Sequence, residues 1–531
     1  MLQTWGREVV VDESGPHPVR VYEPRRRLVS DLLVDVRRWA DREVLVQGPI
    51  RLTYAQHERA VLRVAGALSS AGVRPGDPVM FYARNGIEWV VGYWAVLRIG
   101  AIAVLGNGWW SAAEVGHAVA TIEPKLVITD EWLAERLPEG MDSMLTSSLT
   151  GLLADDELPV PEIPESPALE IDPALVIFTS GTTGPPKGAV IPHRGVVVNL
   201  HNMLNVTRRL PQDIPDDQPA NSTLHTLPLF HVGGIQALGM NFMSGSKMVF
   251  LEGRFNAGEV LRLIERERIT LWACVPTMLS RVLDHPELEG FDTESVRSLT
   301  VGGSAVSPEL SERSARAFPN MSRGMASVYG LTEAGGTVSA ASGKVMLDHP
   351  GTVGQPMPVV EVRFVPTGDE VLDAVGGEIA VRSPGVMLGY WGAAPGESGI
   401  DADGWLLTGD VGRQDEDGWL YLVGRKKDIV IRGGENIACA HVEARLREHP
   451  DVAEVAVVGL PHADLGEEVG AAIVPRGGAE LDPAKLAAFA AETLAHYAVP
   501  SRWWLRTEPL PTNATGKIVK RELVTAWPGT A

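Results

Sequence analysis

Residues 174–188 read ALVIFTSGTTGPPKG. The first five are apolar and rich in β-branched side chains, which predicts a short buried strand. The ten that follow carry three glycines, four hydroxyls (Thr179, Ser180, Thr182 and Thr183) and one lysine, Lys187. Glycine lets backbone N–H groups approach an anion closely. Successive N–H groups in such a loop form a concave nest for phosphate. The stretch reads as a phosphate-holding loop on a buried strand. It is not a Walker A loop, in which lysine follows glycine and precedes serine or threonine. Here Lys187 lies between Pro186 and Gly188, which disfavours an ordinary P-loop nucleotidase.

Outward from this loop, short apolar runs alternate with helical patterns. Strands are expected at residues 78–82, 224–227, 247–250 and 296–301, and helices at 52–72 and 259–268. That alternation defines an α/β architecture. The apolar stretch 89–110 carries Arg98 in its middle and is interrupted by Gly100, Gly106 and Gly108. It reads as a buried helix and a buried strand, not as a membrane span. Residues 152–173, rich in proline and acidic side chains, read as a surface connector. From about Gly351, glycine and proline become dense and strands at 377–383 and 418–424 suggest a small β-subdomain. A helix at 441–449, a strand at 452–460 and an alanine-rich helix at 483–495 then suggest a separate α+β domain.

The balance of 47 Lys and Arg against 67 Asp and Glu over 531 residues gives a net charge of −20. Broad nucleic-acid binding needs the opposite sign, so nucleic acid is excluded as a partner. Two cysteines are too few for a disulfide framework or a four-cysteine zinc site. The N-terminal residues include acids and lack an apolar signal core, so a cytoplasmic location is expected.

The loop TSGTTGPPKG resembles the signature loop of the adenylate-forming superfamily: acyl-CoA synthetases, beetle-type luciferases and peptide-synthetase adenylation domains. Further motifs follow in that family's order: PLFH (228–231), GGSA (302–305), YGLTE (329–333), TGD (408–410), GRKKD (424–428), GGEN (433–436) and PTNATGK (511–517). The resemblance spans roughly residues 30–525. It implies a large N-terminal domain of α/β layers with a small β-subdomain, over residues 1–424. A hinge at 425–430 and a mobile small α+β domain at 431–531, bearing the catalytic lysine, would follow.

A carboxylate is a poor acyl donor, because its leaving group is oxide. Coupling to AMP makes a mixed anhydride that a thiol can attack. Two anions must meet first, so the site has to neutralise, align and stabilise them. By resemblance, Thr179, Ser180, Gly181, Thr182, Thr183, Gly184 and Lys187 hold the β- and γ-phosphates of ATP. Thr332 contacts phosphate, and Glu333 holds Mg2+, with Thr182 a second metal candidate. Gly303, Ser304, Ala305 and Tyr329 flank adenine, while Asp410 and Arg425 reach the ribose. Lys517 bridges the reacting carboxylate and the α-phosphate, a task suited to a compact charge on a flexible stem. For the thiol step the small domain rotates about Lys427, and Gly434 lines the tunnel for coenzyme A.

His231 is expected near the substrate carboxylate. Amino-acid-activating domains usually carry an Asp near this place, and none lies beside Phe230-His231, which disfavours an amino acid. Gln236, Trp272, Val275 and Thr277 are expected to line the acid pocket, with Trp272 equally readable as core. The reading is an ATP-dependent ligase that converts a small-molecule carboxylic acid to acyl-AMP and then acyl-CoA, with a place in fatty-acid metabolism expected. Three alternatives stay open: a stand-alone enzyme loading a separate carrier protein, a relative recruited to an unusual small acid or to amide formation, and a nucleotide-binding regulator. A homodimer is left open as well.

Overall fold

The computed structural model describes residues 4–153, 157–179, 186–301, 308–321, 326–368, 373, 376–394, 396–432, 435–513 and 517–528. It divides into two units. The first comprises Met1–Lys344, Met357–Glu361 and Arg382–Leu406, and the second Val345–Pro356, Val362–Val381 and Leu407–Ala531.

The first unit is built on two twisted sheets. In one, strands Pro78–Tyr82, Ile102–Leu105, Leu126–Thr129, Ser143–Leu145 and Pro173–Thr179 run parallel. Parallel strands must be covered on both faces, and they read accordingly as unbroken apolar runs. Met80, Val104, Val127 and Val176 pack with Val115, Ala118 and Ile122 of the Ala112–Ile122 helix. The sheet's edge is antiparallel: Lys187–Pro192 returns along Pro173–Thr179, and Gly389–Tyr390 pairs with Lys187–Pro192. The second sheet orders strands Ser298–Val301, Leu271–Cys274, Ser222–His225, Lys247–Phe250, Glu43–Gln47 and Ile50–Thr53.

The stretch 89–110 takes in most of helix Ile87–Arg98 and all of strand Ile102–Leu105, as its glycines and Arg98 imply. Ten of the twelve helical residues are buried, which is how a helix that is apolar all round behaves in a globular protein. Arg98 turns outward to donate to the carbonyls of Ile163 and Pro164 at 2.7 and 2.6 Å, pinning the connector. Among the described residues no helix is long and apolar enough to cross a membrane.

Several boundaries differ from the sequence reading: the helix expected at 52–72 lies at Tyr54–Ser70, the strand at 296–301 at Ser298–Val301 and the helix at 441–449 at Cys439–Arg447. The strand expected at 224–227 lies at Ser222–His225, because Thr226 leaves the ladder and its hydroxyl donates to Ala273 O at 2.8 Å. The helix expected to reach residue 495 ends at Ala491.

In the second unit, antiparallel strands Thr352–Pro356, Leu420–Arg425 and Leu406–Gln414 lie side by side, with Gly377–Arg382 next. Further along, the long hairpin Val452–His462 and Gly466–Pro475 packs Val455, Val457, Val469 and Ile473 against helices Cys439–Arg447 and Pro483–Ala491.

Candidate active site

Thr179 and Lys187 are Cα partners across the antiparallel pair that opens and closes the glycine-rich loop. The Thr179 hydroxyl reaches Lys187 O at 3.5 Å. The strands that flank the loop thus form an antiparallel pair, whereas a P-loop leads from a strand into a helix. Ser180, Gly181, Thr182, Thr183 and Gly184 lie outside the described residues.

Thr332 and Glu333 sit on a single 3-10 turn after strand Ala326–Leu331, and Tyr329 is buried in that strand. Gly335 ends the turn at φ +76°, where its N–H donates to Thr332 O at 2.9 Å. A Cβ at Gly335 would lie 2.0 Å from Gly385 O, so both the positive φ and the close approach demand glycine. The backbone carbonyl of Glu333 accepts from Met387 N–H at 2.9 Å.

Tyr390 connects the two pieces. Its hydroxyl donates to Glu333 Oε1 at 3.0 Å. Its ring lies beneath Lys187 Nζ, 5.2 Å from the centroid, a cation–π distance. Thr179 is a further hydrogen-bond neighbour of the same hydroxyl. Burial first, then the charge and hydrogen bond of Glu333, hold the Tyr390 phenol well above its ordinary pKa, so it stays a donor. Tyr390 was not singled out in the sequence; only the Gly-Tyr pair at 389–390, outside any motif used there, could have drawn attention to it.

His231 caps helix Val232–Met243, half-buried, with its ring 4.6 Å from that of Phe230. Phe230 meets Trp109 edge-on at 5.6 Å. Asn85, also missed, holds this motif from the first sheet: its amide donates to Leu227 O at 2.7 Å and its oxygen accepts from Leu229 N at 3.0 Å. A Cβ at Gly234 would lie 2.1 Å from Pro228 O, which explains a glycine two residues after Val232. Gln236 exchanges hydrogen bonds with the Thr337 hydroxyl at 3.0 and 3.1 Å, four residues past Glu333.

Trp272 is fully buried in the core of the second sheet beside Phe318, and its indole donates to Thr226 at 3.1 Å. Val275 is buried at the start of the next helix, and Thr277 is exposed on it. Gly303, Ser304 and Ala305 lie outside the described residues, as does Gly434.

In the second unit, Asp410 and Arg425 are paired across adjacent strands, with Arg425 Nε donating to Asp410 Oδ1 at 2.9 Å. Lys426 reaches Glu378 at 3.0 Å, and the backbone of Lys427 lies in the 3-10 turn that follows. Lys517 is exposed at the base of a tight turn. Its N–H donates to Asn513 Oδ1 at 3.0 Å, and its carbonyl accepts from Asn513 N at 2.8 Å.

The glycine-rich motif between Thr179 and Lys187, the Thr332–Glu333 turn and the Lys517 turn are features that an adenylate-forming enzyme carries. The family model for AMP-binding enzymes matches residues 33–391, and that for the AMP-binding enzyme C-terminal domain matches residues 441–517. The chain belongs to this family. It is 36% identical to a feruloyl-CoA synthase of an Amycolatopsis species, over 90% of this chain and 94% of that protein. It is 30% identical to a long-chain-fatty-acid–CoA ligase of Bacillus subtilis, over 96% of both. The fold matches the o-succinylbenzoate CoA synthetase of Bacillus subtilis, solved in complex with its acyl-adenylate intermediate. The TM-score is 0.75 at 27% identity, covering 93% of this chain and 97% of that one. The protein is an AMP-forming acid–thiol ligase: it activates a carboxylic acid as acyl-AMP and passes the acyl group to coenzyme A.

Proposed function

We propose that the acid is an apolar, non-amino carboxylic acid, aryl or alkyl. The observation behind this is a small cavity beside Gln236, walled by Trp94, Ile177, Leu200, Ile235 and Leu238. Largely apolar walls with a few polar groups, here Gln236 and Asn199, suit an apolar ligand whose polar end must be oriented. Phe230-His231 at the motif brings no carboxylate to hold an α-amine.

The roles proposed for the residues follow the family resemblance. Lys187 and the loop it closes bind the ATP phosphates; Tyr329 abuts adenine; Asp410 and Arg425 hold the ribose. His231 and Gln236 orient the acid. Lys517 stabilises the adenylation transition state, and Thr332 contacts phosphate. Among the described residues no group of three or more His, Cys, Asp or Glu gathers to hold a metal. Mg2+ is commonly bound through one or two carboxylates plus substrate phosphates. The single carboxylate of Glu333 fits an ion that arrives with the nucleotide, where it would offset phosphate charge. A hinge at 425–430 separates the 1–424 and 431–531 domains and exchanges Lys517 for the Gly434 face before thiol attack. The working compartment is taken to be the cytoplasm.

The test is a panel of aryl, alkyl, amino and dicarboxylic acids assayed for CoA-dependent AMP release, with product masses. Apolar monocarboxylates should lead. Turnover confined to amino acids, or to a carrier protein in place of free CoA, overturns the reading.

A further inference from the structure

Strand pairing, not chain proximity, puts Tyr390 where it is. Leu388 N–H donates to Val190 O and Trp391 N–H to Gly188 O, both at 2.8 Å, clamping residues 388–391 onto the returning strand of the phosphate-loop hairpin. The neighbouring Met387 N–H is bonded to the Glu333 backbone. One short segment is therefore fastened to both the hairpin and the Thr332–Ala334 turn. Its Tyr390 side chain contacts Lys187 through the ring face and Glu333 through the hydroxyl.

We propose that Tyr390 is a positioning residue that sets the Glu333 carboxylate and the Lys187 ammonium at a fixed separation, so that metal-bound triphosphate meets both at once. The inference rests on the proposed roles of Glu333 and Lys187. A carboxylate has two oxygens and about four acceptor sites. The phenol occupies one of these on Oε1 and so selects the carboxylate rotamer. Lysine's ammonium sits on a flexible stem that loses much rotamer freedom when fixed. The ring face gives it a resting place without neutralising its charge, which a carboxylate there would do. The two contacts use different parts of one side chain, so they can be removed separately.

The experiment is equilibrium binding of ATP by calorimetry, without acid, so that no turnover occurs, in the presence and absence of Mg2+. Tyr390→Phe keeps the ring and loses the hydroxyl. It should cut the Mg2+-dependent gain in ATP affinity by about tenfold, the scale of one hydrogen bond to a charged group, and leave Mg2+-free ATP binding unchanged. Tyr390→Leu should in addition weaken Mg2+-free binding about threefold, the scale of an exposed cation–π contact. In a Glu333→Gln background, Tyr390→Phe should cost nothing further. Melting curves for every variant report on folding. Equal losses from Tyr390→Phe with and without Mg2+, or the same loss in the Glu333→Gln background, overturn the positioning role. If Glu333→Gln alone keeps the full Mg2+ gain, the metal role of Glu333 fails and the hydroxyl arm fails with it. The Lys187 arm is then judged by Tyr390→Leu.

Discussion

Arg425 and Asp410 form an ion pair across neighbouring strands, at 2.9 Å, with the Asp410 side chain 9% exposed and that of Arg425 48% exposed. The backbone that carries the carboxylate is held as well. Asp410 N–H donates to the Thr408 hydroxyl at 3.1 Å, and that hydroxyl donates to Ile379 O at 2.8 Å. A carboxylate fixed this way is prepared to accept from vicinal hydroxyls, as acidic residues do in other nucleotide sites. Asp410→Asn should raise KM for ATP by roughly ten- to a hundredfold, on the scale of lost hydrogen bonds to a charged group. KM for the acid should stay near the wild-type value. Discrimination between ATP and 3′-deoxy-ATP should shrink. Pyrophosphate exchange measures both, and unchanged discrimination removes Asp410 from the ribose site.

Lys517 projects from a turn closed by Asn513, and its backbone makes the bonds that hold the turn. Lys517→Ala therefore leaves the turn intact and removes only the charge. Adenylation should fall by about 10²–10³, the usual cost of one preorganised electrostatic contact. Thioester formation from synthetic acyl-AMP should be largely retained. Equal loss in both half-reactions contradicts the assignment.

Lys427 lies within the Lys426–Asp428 turn. Proline there fixes φ near about −65° and deletes the N–H, which hinders a rotation without touching either reactant. Lys427→Pro should release a near-stoichiometric burst of pyrophosphate and then transfer poorly to coenzyme A. Circular dichroism separates this from misfolding. Wild-type thioester formation by the folded variant moves the hinge elsewhere.

Acid should destabilise the first unit through its buried histidines. Burial lowers His57 from 6.5 to about 3, and His193, His201 and His225 to about 4. Each is neutral when folded and binds a proton more readily when unfolded. Their contribution is thus intact above about pH 6.5 and is lost as pH falls toward 4. For His57, packed against Trp94 and Phe242, the loss at pH 5 relative to pH 7 is about 2 kcal/mol. Urea midpoints should fall across that interval. His57→Leu should flatten the slope; an unchanged slope would mean that His57 takes up its proton as readily in the folded chain as in the unfolded one.

The phosphate loop, the order of the motifs and the alternation of strand and helix were legible in the chain because each is local. Buried parallel strands must be apolar throughout, a phosphate nest needs glycines close together, and the breaks at Gly100 and Arg98 interrupt what length alone would have made a span. Strand Ser222–His225 was misplaced by two residues because the Thr226–Ala273 bond that ends it joins different strands.

Which side chains meet was decided by tertiary structure alone. Tyr390 is 57 residues from Glu333 in the chain, and only the pairing of Gly389–Tyr390 with the hairpin strand brings them within 3.0 Å. Asn85 reaches the Pro228–His231 motif across 144 residues, because the ends of two sheets converge there. Trp272 could be read from the chain as pocket wall or as core; its register beside Leu224 and Leu299 puts it in the second sheet's interior. Sequence fixes a residue's chemistry and its face on an element. Its neighbours follow from how sheets stack and strands register, which are sums of many weak long-range contacts that no short stretch of chain encodes.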